Sequence, residues 1–405
     1  MNNTRFPVVR KLSYALPLTL LLTATLTRAA TAQNFQANGL VSDGSVPAAH
    51  TDPDLINPWG ISFAPNGAFW VSDNGTGKST LYNGQGVKAG LIVSIPHSAT
   101  PTPGFGTLGQ PTGQVFTGGL GFTGSPNFAF VSEDGALTTW SGGTTATIQQ
   151  DLGASNAVFK GMAVAQSGGN SFLYATDFHN AKVDVFNTAY QLQSTGFQFN
   201  DPAAIAGYAP FNIQLLSTAQ GSKLFVSYAK QDAAGHDEIA GAGLGYVNVF
   251  NTDGTGGTRV TTGAATGNLS ILNAPWGMAI APTGFGPYGG DLLVGNFGNG
   301  EIAAFNPLTN AFVGALQNAL GTGPLAIQGL WAISPGTGST TAPTSTLFFD
   351  AGSNGQTGGL FGSITPVVAA AAPEPDAFAL IASLLPGIIG LAVVCRKKRV
   401  DTTAA

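Results

Sequence analysis

The chain has 405 residues, of which 43% are hydrophobic and only 9% charged, and it contains 57 glycines but a single cysteine. The glycines follow no three-residue period, which excludes collagen, and the hydrophobic content excludes disorder, so short strands joined by glycine turns are expected. Residues 33–372 carry 17 acidic and seven basic side chains, and the resulting net charge of −10 disfavours nucleic-acid binding.

The first 32 residues have the features of a secretory signal peptide. Three basic residues precede an apolar stretch at 16–26, and the small residues Ala30 and Ala32 follow it. A basic region, a short apolar region and an A-x-A site in this order are typical of a peptide removed after export. The sequence therefore predicts export through the Sec translocon and cleavage after Ala32, with an uncleaved anchor as the alternative.

A repeated segment fills the middle of the chain. One copy begins at Asn57 and reads NPWGISFAPNGAFWVSDN, and a second begins at Asn273 and reads NAPWGMAIAP before a glycine turn and an apolar strand. Weaker copies begin near residues 111, 159, 209 and 327, which makes six in total. Six units of four short antiparallel strands predict an all-β fold, a six-bladed β-propeller over residues 33–365, and a pair of β-sandwiches explains the repeat less well.

One strand-like segment lies before the first full repeat. It reads NGLVSDG from Asn38, whereas the last repeat ends in GLFGSI from Gly359 with no obvious fourth strand after it. Because an open ring would expose sheet edges, we expect the N-terminal strand to complete the last blade.

The repeats resemble an uncharacterised family of exported bacterial propeller proteins related to NHL-repeat proteins. The similarity is carried by stretches such as LYATDFHNAKVDVFN from Leu173 and LNAPWGMAIAP from Leu272. This resemblance implies the propeller fold and export, but no established activity. The chain departs from the family at residues 353–356, which read SNGQ where acidic residues are expected, so a site built from those acids would be missing.

Polar residues that follow the second strand of several repeats are candidates for a site. Asp73, Glu133, Asp177 and Asp350 occupy this position, and His179 lies two residues beyond Asp177. Propeller geometry places these strand ends on the face where the inner strands begin. Also expected on this face are Asn57, Trp59, Asn273, Trp276 and Asn296.

Two roles fit these polar residues. Converging carboxylates could hold Ca²⁺, and a metal with His179 as base would suit a hydrolase or lyase. An acid at the end of each second strand is also what a structural role predicts, because it accepts hydrogen bonds from the amides of its own turn. The repetition from blade to blade favours the structural role.

The longest polar insertion, KQDAAGHDEIAGAG, begins at Lys230. Asp232, His236, Asp237 and Glu238 are four potential metal ligands within it, although a solvated loop is the favoured interpretation. The chain has no G-x-S-x-G segment and no Ser-His-Asp order, so the sequence favours a non-enzymatic role.

The C-terminal region predicts a membrane anchor. Residues 377–395 carry no charge, and a helix of this length would be about 28 Å long, close to the hydrocarbon thickness of a bilayer. Four basic residues follow the uncharged stretch and predict a cytoplasmic tail over 396–405. These four residues are Arg396, Lys397, Lys398 and Arg399.

This region resembles the PEP-CTERM sorting signal of Gram-negative bacteria. Pro373, Glu374 and Pro375 lie in a linker at 366–376, ahead of the apolar stretch and the basic cluster. The resemblance implies processing by an exosortase-type enzyme at the inner membrane. We therefore expect an envelope or surface protein, a binding or matrix component that contacts extracellular polysaccharide or protein. A metal-dependent hydrolase or lyase with a site on the central face is the alternative.

Overall fold

The computed structural model describes residues 33–105, 108–260 and 271–368. The predicted signal peptide with Ala30 and Ala32, the sorting residues at 373–375 and 396–399, and the predicted membrane helix at 377–395 lie outside these ranges. Within the described ranges, the structure contains no helix with the length and apolarity needed to span a bilayer.

The described residues form 24 strands in six sheets, which are the blades of a propeller. The strands, numbered in chain order, are β1 Gln33–Ser42, β2 His50–Thr51, β3 Pro58–Ser62, β4 Phe69–Asp73, β5 Lys78–Tyr82, β6 Val93–Ser94, β7 Pro111–Phe116, β8 Phe128–Ser132, β9 Ala136–Trp140, β10 Thr147–Asp151, β11 Phe159–Ser167, β12 Asn170–Asp177, β13 Lys182–Phe186, β14 Tyr208–Thr218, β15 Gly221–Lys230, β16 Gly245–Phe250, β17 Thr258–Arg259, β18 Pro275–Ile280, β19 Leu292–Asn296, β20 Ile302–Phe305, β21 Phe312–Ala315, β22 Leu330–Pro335, β23 Leu347–Ala351 and β24 Leu360–Val368. Among the residues that the structure describes, single helical turns lie at Asn74–Thr76, Gly153–Ser155, Gly286–Tyr288 and Ser353–Gln356.

Four of the six sheets have four strands each, as predicted. The first blade is β3 to β6, the second β7 to β10, the fourth β14 to β17 and the fifth β18 to β21. The third blade has only β11, β12 and β13 among the described strands, and the sixth has five, in the order β2-β1-β24-β23-β22. The prediction of four strands in every blade is therefore wrong for the third and sixth blades.

The ring closes through its N-terminal strand. β1 pairs antiparallel with β24 from Gln33 opposite Val368 to Ser42 opposite Leu360, which confirms the predicted closure. Because β1 is ten residues long, β24 extends to Val368 to match it, three residues into the segment assigned to the linker. The inner strands contact one another around the axis, and β22 of the last blade contacts β3 of the first.

The core lies between neighbouring blades, because each second strand is buried on both of its faces. In β19, Leu292 and Val294 pack into a cluster with Phe225 of the fourth blade. Leu293 points the other way and packs with Phe349 of the sixth blade. This alternation explains why the second strands read as continuous apolar runs in the sequence.

A glycine of each Pro-Trp-Gly segment marks the closest approach of adjacent inner strands. A Cβ on Gly60 would lie 2.3 Å from the carbonyl oxygen of Thr112, and one on Gly277 would lie 2.3 Å from that of Trp331. Gly113 and Gly161 are equally close to the next inner strand. Glycine therefore allows the close approach at this position in four of the six inner strands, whereas the fourth and sixth blades carry Asn212 and Ala332 there.

Candidate functional site

The upper end of the central axis, where the inner strands begin, is closed by aromatic side chains. The indoles of Trp59 and Trp331 stack with their centroids 3.6 Å apart, and Trp276 meets the edge of Trp59 at 6.1 Å. Phe211 completes this aromatic plug, 5.9 Å from Trp331. The predicted meeting of the Asn57 and Asn273 segments at a common axis is thereby confirmed.

In the third blade a lysine takes the place of the tryptophan. The Lys160 side chain is fully buried, with its Nζ atom 4.9 Å from the ring centroid of Trp59. Nζ donates a hydrogen bond to Glu133 and lies 3.4 Å from Asp237. Burial lowers the pKa of Lys160, but the charges of Glu133, Glu238 and Asp237 outweigh it and raise that pKa to about 12. Lys160 is therefore a buried cation with carboxylate partners.

A chain of hydrogen bonds links this ion pair to the aromatic plug. Asn74 Nδ2 donates to Glu133 Oε2 at 2.8 Å, and Asn57 Nδ2 donates to Asn74 Oδ1 at 3.3 Å. Trp331 Nε1 then donates to Asn57 Oδ1 at 3.1 Å. These polar groups of the upper face are thus engaged with one another, which holds the plug and the ion pair in register.

Three of the side chains that end the second strands accept hydrogen bonds from the main chain of their own blade. Each binds an amide close to the start of the inner strand of its blade, whereas the structural role predicted bonds from the turn after the second strand. Asp177 also makes a bond of that kind, from Asn180 N at 3.2 Å. The contacts are Val158 N to Asp177 Oδ1 at 3.2 Å, Asn273 N to Asn296 Oδ1 at 2.9 Å and Ala332 N to Asp350 Oδ1 at 2.7 Å.

The candidate ligands do not assemble into a cation site. Among the described residues, no group of three or more His, Cys, Asp or Glu side chains is placed to share a metal ion. Asp177 and Asp350 accept main-chain hydrogen bonds within their own blades, Glu133 binds Lys160, and Asp73 is fully buried. The prediction that Asp73, Glu133, Asp177 and Asp350 converge on Ca²⁺ is therefore not supported.

The candidate base His179 has a histidine neighbour on the upper face. Its ring is 5.6 Å from that of His236, and its buried Nδ1 has no hydrogen-bond partner among the described residues. The structure therefore brings His179 to the predicted face but gives it no carboxylate that would orient it as a base.

The polar insertion after β15 contacts the upper face, although several of its residues, including Asp237, remain exposed. Gln231 Nε2 anchors it by donating to the Phe178 carbonyl oxygen at 2.6 Å. Asp237 reaches Lys160, and burial raises the pKa of the nearby Glu238 carboxyl to about 7 although the charge of Lys160 opposes this. The insertion thus supplies two of the acids around the buried lysine.

Asp73 is the exception among the strand-end acids, and we expect its replacement by asparagine to stabilise the protein. It is fully buried, and neither carboxylate oxygen accepts a hydrogen bond at normal geometry from a described residue. Burial, with Asp52 and Asp54, raises its pKa well above the usual range despite the nearby Thr80 hydroxyl. Because the pKa of Asp73 is higher in the folded state than in the unfolded state, the free energy of unfolding decreases as the pH rises above about 4.

Asp73→Asn should therefore raise the free energy of unfolding by about 1–3 kcal/mol at pH 8 and by much less at pH 4, as measured by urea unfolding. Asn296, at the corresponding position of the fifth blade, shows that an amide fits there. Asp151→Asn is the control and should lower the free energy of unfolding at pH 8 instead. Burial acts to raise the pKa of Asp151, but hydrogen bonds from Ser98, Ala99 and Gly153 outweigh it and lower that pKa. A gain for Asp73→Asn that is equal at both pH values would contradict this account.

Below the aromatic plug, the axis widens into a cavity of about 480 Å³. All six inner strands contribute to its wall, and no ionisable side chain is among the described residues that line it. The cavity opens towards the lower face, where the inner strands end and where Leu215 and Ser217 are exposed. The wall residues are 61–63, 114–116, 162–164, 214–217, 278–280 and 333–335. We call this space the axial cavity.

Comparison with known proteins identifies relatives of this chain in Acanthamoeba polyphaga mimivirus, two of which match most of its length. Uncharacterized protein R648 is 34% identical over 347 residues, which cover 82% of this chain and 80% of that protein. Uncharacterized protein L690 is 32% identical over 353 residues, 82% of this chain and 85% of that protein. No family model matches. The relatives are viral, so the bacterial family and the sorting signal stay predictions.

Among solved structures, an α-L-arabinofuranosidase from Fusarium graminearum aligns with a TM-score of 0.50 at 10% identity. The alignment covers 82% of this chain and 98% of that one. At this identity the likeness shows the fold alone.

Proposed function

The chain belongs to the same protein family as the mimivirus proteins R648 and L690, and on this premise we propose that it is an exported, non-enzymatic propeller that binds a ligand in its axial cavity. The observation that carries the proposal is the cavity itself, which is closed above by the aromatic plug and open below. Its volume of about 480 Å³ is in the range of small-molecule sites.

The distribution of ionisable groups favours binding over catalysis. General acid–base catalysis needs a titratable side chain within hydrogen-bond reach of the reacting group. The described wall of the axial cavity has none. On the upper face, Glu133 is engaged with Lys160, and Asp177 and Asp350 are engaged with main-chain amides. A site that orients and encloses a ligand without supplying such a group suits a binding protein.

Filling the axial cavity should abolish ligand binding. Ser334 lines the cavity and is partly exposed, so Ser334→Phe places a large side chain in the space that a ligand would occupy. With 1-naphthol as the probe in isothermal titration calorimetry, we expect binding to the native protein and none to this variant. Ser141→Phe, at an exposed site outside the axial cavity, is the matched control and should bind like the native protein. Equal binding by both variants would place the site elsewhere.

The ends of the chain form a second part of the proposal. We propose export through the inner membrane of a Gram-negative host and anchoring or release at the envelope by an exosortase-type enzyme. Support comes from the tripartite order of residues 373–375, the apolar stretch and residues 396–399. Replacing Arg396, Lys397, Lys398 and Arg399 with serine should leave the C-terminus unprocessed, as measured by the intact mass of the product. Normal surface display and native mass of this variant would refute the sorting role.

A further inference from the structure

A second cleft lies between the fourth and fifth blades, on the lower face. Its walls come from the turn between β14 and β15, the segment that joins β16 to β17, and the turn that follows β20. We call this space the interblade cleft. Its volume of about 260 Å³ is slightly below the range of sites for drug-sized ligands. None of the described residues that line it also lines the axial cavity.

The polar side chains of the interblade cleft are accessible to solvent. Gln220 and Thr258 are exposed, and Lys223 is half-buried. All three belong to the fourth blade and line the same cleft. A molecule that enters the interblade cleft can therefore reach a side-chain amide, a hydroxyl and an ammonium group.

Two of these side chains have hydrogen-bonding roles that the fold sets. Lys223 Nζ donates to Asn251 Oδ1 at 2.5 Å, which uses one of its three N–H groups. Thr258 Oγ1 donates to the Gly256 carbonyl oxygen at 3.0 Å, so its lone pairs remain as acceptors. The cleft thus presents donors and acceptors together. Hydroxyl groups, which both donate and accept, can bind to both kinds of partner.

The charges at the interblade cleft disfavour an anionic ligand. Lys223 is the only ionisable side chain among the described residues that line it. Asp253 lies in the turn between β16 and β17, where hydrogen bonds from Thr255 and, to a smaller extent, the charge of Lys223 lower its pKa. Asp253 is therefore ionised and offsets the charge of Lys223. An anion would also meet the Thr258 acceptor, so an uncharged ligand fits better.

The fifth blade adds apolar surface to the interblade cleft. Leu308 is 49% exposed, and Pro307 beside it is half-buried. Covering these side chains with apolar groups of a ligand is favourable. A ring with apolar C–H faces and hydroxyl groups at its edge matches this pairing of a polar blade with an apolar one.

We propose that the interblade cleft binds one sugar unit of an uncharged glycan, with sugar hydroxyls on Gln220, Lys223 and Thr258 and a C–H face of the ring on Leu308. The site is separate from the axial cavity and does not depend on a ligand there. Its volume suits a single ring with its substituents, so the rest of a glycan would extend from the cleft over the lower face.

Saturation-transfer difference NMR with the full-length protein tests the ligand class. The uncharged probes are the methyl β-glycosides of glucose, galactose, mannose and N-acetylglucosamine. The charged probe is methyl β-D-glucuronide, in which a carboxylate replaces a hydroxymethyl group. We expect at least one uncharged glycoside to bind, and the glucuronide to bind more weakly than the tightest of the four.

Three variants locate the site. Thr258→Val removes a hydroxyl acceptor but keeps the shape of the side chain, and it should weaken binding of that glycoside roughly three- to tenfold, the contribution of one net hydrogen bond. Thr147→Val is the matched control at an exposed threonine of β10 in the second blade, and it should bind like the native protein. Ser334→Phe, which fills the axial cavity, should also leave glycoside binding unchanged.

The outcomes separate this inference from the proposed function. Absence of binding by all four uncharged glycosides, or tighter binding of the glucuronide than of any of them, would overturn the ligand class. Equal affinities of Thr258→Val and Thr147→Val, or loss of glycoside binding in Ser334→Phe, would overturn the assignment to the interblade cleft. Binding of 1-naphthol in the axial cavity is measured separately, so each proposal can fail without the other.

Discussion

Replacing Lys160 with methionine is expected to lower the free energy of unfolding by about 3–5 kcal/mol, the usual cost of removing one partner of a buried ion pair. Methionine fills a similar volume against Trp59, so little packing is lost. The loss arises because Glu133, with a side chain only 7% exposed, is left buried without its cationic partner. Asp237 and Glu238 add negative charge at the same place. Urea unfolding of the full-length protein measures the effect.

Two further variants separate electrostatics from packing. The double variant Lys160→Met, Glu133→Gln should recover more than half of the loss, because a neutral amide can still accept from Asn74 Nδ2. Lys78→Met is the surface control: Nζ of Lys78 lies 2.6 Å from Asp54, but both side chains are partly exposed and Asp54 keeps Lys88 as a partner, so its removal should cost less than about 1 kcal/mol. Equal losses for Lys160→Met and Lys78→Met would show that the buried pair contributes no more to stability than a surface pair.

Replacing Gly60 with alanine should lower the free energy of unfolding by about 3 kcal/mol, at the upper end of the range for overpacking. The new Cβ would meet the main-chain oxygen of Thr112 at 2.3 Å. A main-chain atom cannot rotate aside, so relief requires the first two inner strands to separate. Because the ring is closed, that movement is transmitted to the other blades and to the aromatic plug. Thermal and urea unfolding should both report the loss.

Gly90→Ala is the matched control for Gly60→Ala. A Cβ on Gly90 would have no neighbouring atom within 4 Å, and neither glycine has the positive φ that would itself penalise alanine. The control should change stability by less than about 0.5 kcal/mol. A Gly60→Ala protein as stable as Gly90→Ala would mean that the inner strands are free to move apart.

The architecture could be predicted because the same local physics recurs in every blade. The segments at Asn57 and Asn273 repeat a tryptophan, a close-approach glycine and a doubly buried strand, and each feature depends on neighbours that are themselves repeats. The isolated strand near Asn38 was therefore predicted to pair with the open edge of the last blade, and it pairs there with β24. The three-stranded third blade was missed because the absence of a short outer strand leaves no mark on the apolar pattern.

The candidate site was predicted less well, because its chemistry depends on where single blades depart from the repeat. Lys160 stands at the tryptophan position in the segment FKG, and that substitution was the one signal available in the sequence. Its meaning became clear only when Glu133 of the second blade and Asp237 of the insertion were found beside it. Of the four acids chosen for their shared position, Asp177 and Asp350 bind main-chain amides, Glu133 binds Lys160, and Asp73 has no hydrogen-bond partner among the described residues.

By itself, the sequence determined the number of blades and the closure of the ring, since these follow from a pattern repeated along the chain. Only the tertiary structure decided which polar groups meet and which stay unpaired. Trp331 and Asn57 are 274 residues apart when they bond, and Gln220 and Leu308 share a cleft because the fourth and fifth blades are adjacent in the ring. Such contacts join residues that differ from the repeat, and no local pattern encodes them.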